Sequence, residues 1–141
     1  EKQNNSYVTA NPGKWFYYCD GTAGTDYELA SAPAMNNGTI TFAFDKMAEG
    51  SPAYQLRIQP KFAEGSTYTV TFKVTLSAAG KVVYGIDYKA KEFAAAGTET
   101  ITWTGTVQAA STNKPFIIQF RSTDRSAPIT MTISEIVFTQ A

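Results

Sequence analysis

The clearest alternation of apolar and polar residues in this chain lies in the stretch 68–76, which reads YTVTFKVTL. Every second residue is apolar or aromatic, and the residues between them are threonines and one lysine. Successive side chains of a strand point to opposite sides, so a period of two separates the two kinds of side chain onto opposite faces. The stretch predicts a strand with one face in a core and the other in solvent.

Similar patterns recur along the chain, separated by clusters of Gly, Pro, Asn and Ser that favour turns. They lie at residues 14–18, 39–44, 53–59, 81–89, 100–107, 116–121 and 129–139. In the last of these the apolar residues change face between Ile133 and Ile136, which predicts a β-bulge near Ser134 and Glu135. Together the strands predict an all-β fold, a two-sheet antiparallel β-sandwich with jelly-roll topology.

Composition limits the classes of function. The chain has 141 residues, twelve basic and twelve acidic side chains, no histidine and one cysteine, Cys19. This length fits one domain over residues 1–141, with about 68–70% of the unfolded surface buried on folding. Zero net charge argues against binding to nucleic acid or to an anionic membrane surface. Insertion into a membrane is not expected either, since no apolar run approaches the roughly 20 residues needed to cross a bilayer. Without histidine, histidine-based triads and metal sites are excluded, and we expect binding rather than catalysis.

The two sheets of a jelly roll differ in their predicted outward positions, because successive strands tend to alternate between sheets. One sheet carries mostly threonine, which suits an exposed pleated surface. These residues are Thr39, Thr41, Thr69, Thr71, Thr75, Thr100, Thr102, Thr104, Thr130 and Thr132. The other sheet carries amides, guanidinium groups and other charges, at Gln55, Arg57, Gln59, Asp87, Lys89, Gln119 and Arg121.

Amides both donate and accept hydrogen bonds, and a guanidinium group presents a planar fork of donors. Both match the vicinal hydroxyls of sugars, so this second face is a candidate floor for a glycan-binding groove, with Gly85 allowing close approach. The alternative is an ordinary solvated face. Aromatic candidates for the rim are Tyr54, Tyr84, Tyr88, Trp15 and Trp103. Alternation places three of them on core faces, and Tyr88, at a strand end, is the favoured one.

Several stretches resemble the carbohydrate-binding modules of families 4, 9 and 22. They are GKWFYY at 13–18, YQL at 54–56 and FAEGSTYTVTF at 62–72. Residues 65–72 match the G-x-x-Y-x-V-x-F run of that group, and residues 133–138 take the place of its I-D-x-V-x-L strand. The resemblance implies a jelly roll whose concave sheet binds one glycan chain, with contacts from Tyr54, Gln55, Tyr84, Asp87, Tyr88, Gln119 and Arg121.

The group's near-terminal aspartate, often part of a structural calcium site, is Ser134 here. The sequence therefore gives no support for calcium, and we expect no cofactor. The chain begins at Glu1 without a leader, which we interpret as a piece processed from a longer protein.

These features predict a non-catalytic, monomeric carbohydrate-binding module that is extracellular or at a bacterial cell surface. Its ligand would be a β-linked polysaccharide, xylan first and β-glucan or amorphous cellulose second. Its partner in the same polypeptide would be a catalytic domain such as a xylanase. Two alternatives remain open: a structural or adhesive spacer without a ligand, and a small hydrolase or lyase on the same scaffold.

Overall fold

The computed structural model describes residues 15–19, 27–31, 33, 38–47, 54–58, 60–121 and 128–141. Within them, ten strands form two five-stranded sheets, and every pairing between neighbouring strands is antiparallel. The all-β sandwich predicted from the alternation is confirmed. A 3₁₀ turn at Ala109–Ser111 is the helical element of the described residues.

We call the first sheet the glutamine sheet, after Gln55 and Gln119. In spatial order it contains β1 (Trp15–Cys19), β4 (Tyr54–Ile58), β9 (Phe116–Arg121), β6 (Gly80–Gly85) and β7 (Lys89–Phe93). We call the second the threonine sheet. It contains β2 (Tyr27–Leu29), β3 (Ile40–Met47), β10 (Ile129–Gln140), β5 (Thr67–Leu76) and β8 (Gly97–Thr106). The predicted division of the strands between two sheets is confirmed, and β2 is an additional strand.

The stretch quoted first is the inner strand β5, between β10 and β8. Its apolar residues from Val70 to Leu76 are buried in the core, and the threonines between them face outward. On that outward face threonines pair across strands through their hydroxyl groups. The Oγ1–Oγ1 distances are 2.8 Å for Thr67–Thr106, 3.2 Å for Thr69–Thr104, 2.8 Å for Thr75–Thr98 and 3.0 Å for Thr41–Thr132. The outward threonine face is therefore an ordered ladder of mutual hydrogen bonds.

The predicted bulge in the last strand is confirmed. The pairing of β10 with β5 shifts between Ser134 and Val137, and Glu135 has a φ of 54°. The extra residue changes the phase of the alternation, so Ile136 and Phe138 return to the core side. Without it, the second half of β10 would direct these apolar residues into solvent.

One predicted strand is wrong. Residues 81–89 form not a single strand but a hairpin, in which Tyr84 of β6 pairs with Lys89 of β7. Four residues, 85–88, lie between Tyr84 and Lys89, and the first and last of them have positive φ, 92° at Gly85 and 57° at Tyr88. Hairpin loops commonly use left-handed residues to reverse the chain. Asp87 consequently lies in a turn and not on the outward face of a strand.

Aromatic rings join the two sheets at Phe116, the first residue of β9. Its ring makes edge-to-face contacts with Phe72 at 6.3 Å, Trp103 at 5.4 Å and Phe138 at 5.5 Å between centroids. Those three residues belong to β5, β8 and β10 of the threonine sheet. Such pairs add about 0.5–1.5 kcal/mol each beyond the apolar area they bury. Phe116 therefore fixes how the sheets face each other.

We predict that Phe116→Ala lowers the free energy of unfolding by about 3–5 kcal/mol, because it leaves a cavity bordered by three rings. Urea denaturation of the whole chain measures this loss. Phe116→Leu is the matched control and should lose much less, since it keeps most of the apolar volume. Equal and small losses in both variants would contradict the central position given to this ring.

Candidate functional site

The outward face of the glutamine sheet is ordered by the backbone pairing of its strands. Residues directly opposite each other in antiparallel strands lie on the same face. The positions form three rows across the sheet: Tyr18–Gln55–Gln119–Val83–Ala90, Phe16–Arg57–Ile117–Gly85, and Arg121–Lys81–Glu92. The structure thus brings together Gln55, Arg57, Gln119 and Arg121, four of the predicted site residues, on two neighbouring strands.

The two glutamines do not lie in open solvent as alternation predicted. Gln55 is 3% exposed and Gln119 is 2% exposed, and their neighbours Ile117 and Val83 are buried as well. The middle of this face is therefore recessed. Its physical signal was present in β9, where residues 116–120 read FIIQF and are all buried. A nearly continuous apolar run is typical of a strand covered on both faces, whereas alternation alone predicts one face in solvent.

The polar groups of this recessed face differ in how well they are paired. Arg57 Nε donates a hydrogen bond to Gln55 Oε1 at 2.8 Å, so these two side chains hold each other in place. Gln119, directly opposite Gln55 on β9, is buried as deeply as its neighbour. Arg121 Nε is buried and has no hydrogen-bond partner among the described residues. Buried polar groups are normally hydrogen-bonded, so Arg121 Nε has unused capacity for an acceptor.

Tyr84, which the resemblance implied as a glycan contact, lies on the core side of the sheet. Its ring packs edge-to-face on Phe72 of the threonine sheet, with 5.6 Å between centroids. The prediction of Tyr84 as a groove residue therefore does not fit its position. Its place follows from β6, in which Val82 and Tyr84 share the inward side.

Asp87 is held by the core. Its Oδ1 accepts a hydrogen bond of 2.8 Å from Trp103 Nε1, and Oδ2 lies 3.6 Å from Lys89 Nζ. The buried indole also explains Gly85, since a Cβ there would lie 2.6 Å from Trp103 Nε1. Gly85 thus makes room for Trp103 and not for a sugar, and Asp87 satisfies a buried donor. Asp87 is a structural residue of the turn.

The remaining aromatic candidates are divided between surface and core. Tyr88 is 68% exposed with a left-handed backbone, at the end of the sheet where the Arg57–Ile117–Gly85 row lies. Trp103 is buried, as alternation predicted, and Trp15 packs on Phe138 at 6.1 Å between centroids. The backbone of Tyr54 pairs with Phe120, but its side chain lies outside the described residues.

Gln59 lies wholly outside the described residues. Lys81, Val83 and Ile117 belong to the outward face but were not singled out from the sequence. In the described ranges, no three acidic or cysteine side chains gather into a group able to hold a metal ion. The same ranges contain no helix with the length and apolarity needed to cross a membrane.

No model of a protein family and no curated protein sequence matches this chain. Among solved structures, a family 4 carbohydrate-binding module aligns over 93% of this chain and 89% of its own, with 17% identity and a TM-score of 0.60. The N-terminal cellulose-binding domain of β-1,4-glucanase C from Cellulomonas fimi aligns over 90% and 88%, with 14% identity and a TM-score of 0.47. The first comparison shows that this chain has the β-sandwich jelly-roll fold of a carbohydrate-binding module.

We predict that Asp87→Ala destabilises the fold by about 1–3 kcal/mol, because it leaves the buried Trp103 N–H without an acceptor. Asp87→Asn should retain most of the stability, since its amide oxygen can accept the same hydrogen bond. Thermal unfolding of the two variants checks this order. A stable Asp87→Asn variant that had lost glycan binding would instead make the carboxylate a ligand contact.

Proposed function

We propose that this chain is a non-catalytic carbohydrate-binding module that binds a β-linked polysaccharide on the outward face of the glutamine sheet. The observation that carries the proposal is the recessed middle of that face, where the side chains of Gln55 and Gln119 are buried beside the apolar Ile117 and Val83. An amide can donate and accept hydrogen bonds at once, so two neighbouring amides suit the vicinal hydroxyls of a sugar. The shared fold with a family 4 module supports the same function.

The surroundings of Gln119 suit a sugar chain. Gln55 lies directly opposite on β4, and the apolar Val83 lies opposite on β6. Three neighbouring strands span roughly 10 Å, which is comparable with the length of a disaccharide. Amides would bind vicinal hydroxyls, while Val83 and Ile117 would pack against apolar sugar faces. Ligand sites commonly combine an apolar lining with a few placed polar groups in this way.

Tyr88 is placed to extend this site at the end of the sheet beyond the Arg57–Ile117–Gly85 row. Its ring is exposed, and its left-handed backbone is a conformation that a large side chain rarely adopts. Strained backbone conformations of this kind are often found at functional sites, where the surrounding structure maintains them. We infer that Tyr88 stacks on a sugar at this end.

The ligand we propose first is xylan, followed by β-glucan or amorphous cellulose. A monomeric module of this kind would act outside the cell or at a bacterial surface, tethered to a catalytic domain such as a xylanase. Tethering raises the local concentration of substrate for that domain. Binding by the isolated module should be weak, with a Kd of roughly micromolar to millimolar.

Affinity electrophoresis of the chain in gels containing xylan, β-glucan or mannan tests the function directly. We expect retardation in the xylan gel, and weaker retardation in the β-glucan gel. Mannan serves as the comparison among β-linked chains. Migration that is unchanged in all of these gels would refute the proposal.

Gln119→Met tests the site. Methionine keeps most of the volume of the side chain and removes the amide, so it tests the amide with little change in packing. Binding should weaken about two- to tenfold, as expected for one lost hydrogen bond of about 0.5–1.5 kcal/mol. Thr71→Val on the outward face of the threonine sheet is the matched control and should bind normally. If Gln119→Met binds as the parent does, the glycan lies elsewhere.

A further inference from the structure

We propose that Arg121 and Lys81 form a subsite for a carboxylate group carried by the bound polysaccharide, so that the module prefers chains bearing uronic acid residues. This inference rests on the proposed function and narrows its substrate class. It starts from Arg121, the last residue of β9, whose Nε is shielded from solvent without a hydrogen-bond partner in the described part of the chain. A guanidinium group stays protonated, so this donor always requires an acceptor.

The second observation is that no acidic side chain of the described residues forms an ion pair with Arg121 or Lys81. Lys81 of β6 is its direct cross-strand partner on the same face. The ion pairs within the described residues are Lys73–Glu135 and Lys89–Asp87, and neither includes a cation of this row. Glu92 pairs with Lys81 through the backbone of β7, but its side chain is exposed and forms no ion pair in the described structure. Like charges directly opposite each other are unfavourable, so this pair favours an anion.

The two arginines of the face differ in their hydrogen bonding. Arg57 Nε already donates to Gln55 Oε1, whereas the equivalent nitrogen of Arg121 has no partner among the described residues. Arg57 therefore orients an amide for neutral sugar hydroxyls. Arg121 is the group with unused charged donors. The face thus combines a part suited to a neutral backbone with an end suited to an anion.

A carboxylate fits this end because its two oxygens match the planar fork of a guanidinium group, and bidentate pairs of this kind are the strong ones. Arg121 lies two residues from Gln119 on the same strand, roughly 7 Å away along the chain. A sugar whose hydroxyls reach Gln119 can therefore present a carboxylate, its own or that of a branch, to Arg121. The proposed ligand is a neutral β-linked backbone that carries uronic acid.

Isothermal titration calorimetry tests this with two matched probes on the whole chain. One is a xylo-oligosaccharide with a glucuronic acid branch, and the other is the same molecule with its carboxyl group reduced to an alcohol. We expect the acidic form to bind about tenfold more tightly, as for one charge-assisted hydrogen-bonded pair at a partly exposed site. The preference should decline as NaCl rises from about 0.05 to 0.5 M, because salt screens the pair.

Arg121→Gln should abolish this preference, so that the variant binds the acidic and the reduced form equally. Arg121→Lys should keep part of it, since the charge remains without the fork. Lys114→Gln, which removes one exposed positive charge from a turn, is the control and should keep the full preference. Loss of the preference in Lys114→Gln as well would indicate a general charge effect and overturn the inference.

The outcomes separate the inference from the proposed function. Equal binding of both forms by the parent chain would overturn the carboxylate subsite and leave a neutral glycan site in place. Absence of binding to either form and to unbranched xylan would refute the proposed function itself. Binding of free glucuronate as tightly as the branched oligosaccharide, or equal preference for a sulfated oligosaccharide, would overturn the assignment to a carboxylate of the chain.

Discussion

The contact of Phe116 with three rings of the opposite sheet is the interaction on which the described structure depends. Phe116 begins β9, the middle strand of the glutamine sheet, and its partners come from three strands of the threonine sheet. Because side chains alternate along a strand, an inward Phe116 directs Gln119 and Arg121 to the outward face. A slip of one residue would move both polar groups into the core. The core contact therefore determines which groups the candidate site presents.

Trp103 extends the influence of the core to the end of the sheet. Its indole lies between Gly105 of its own strand and Gly85 of the β6–β7 turn, where a Cβ would come within 2.5 Å and 2.6 Å of the ring. It also donates its N–H to Asp87 in that turn. The turn that carries the exposed Tyr88 is thus attached to a buried ring. An aromatic contact for a ligand is more effective when its turn is held in this way, since less ordering is needed on binding.

The sequence predicted β5 and the division of strands between sheets because these depend on local alternation with one face in solvent. The same method failed for residues 81–89, since alternation continues through Gly85-Ile86-Asp87-Tyr88 although the chain reverses there. The sequence signal for this reversal is Gly85, whose φ of 92° begins the turn. The resemblance placed Tyr84 in the groove, whereas its position opposite Phe72 follows from packing between strands distant in sequence. Contacts between strands that are distant in the chain leave no local pattern in the sequence.

The two outward faces differ in composition, with threonine on one and glutamine and arginine on the other. They also differ in how far their polar side chains are hydrogen-bonded to one another. The threonine hydroxyls bond one another across β3, β10, β5 and β8, so much of their capacity is used within the protein. On the glutamine sheet, Gln55 and Arg57 form such a pair, while Arg121 Nε has no partner in the described part of the chain. Since a buried polar group without a partner costs stability, it persists most readily where a ligand completes it. Binding is therefore better argued from unpaired groups than from the number of polar residues on a face.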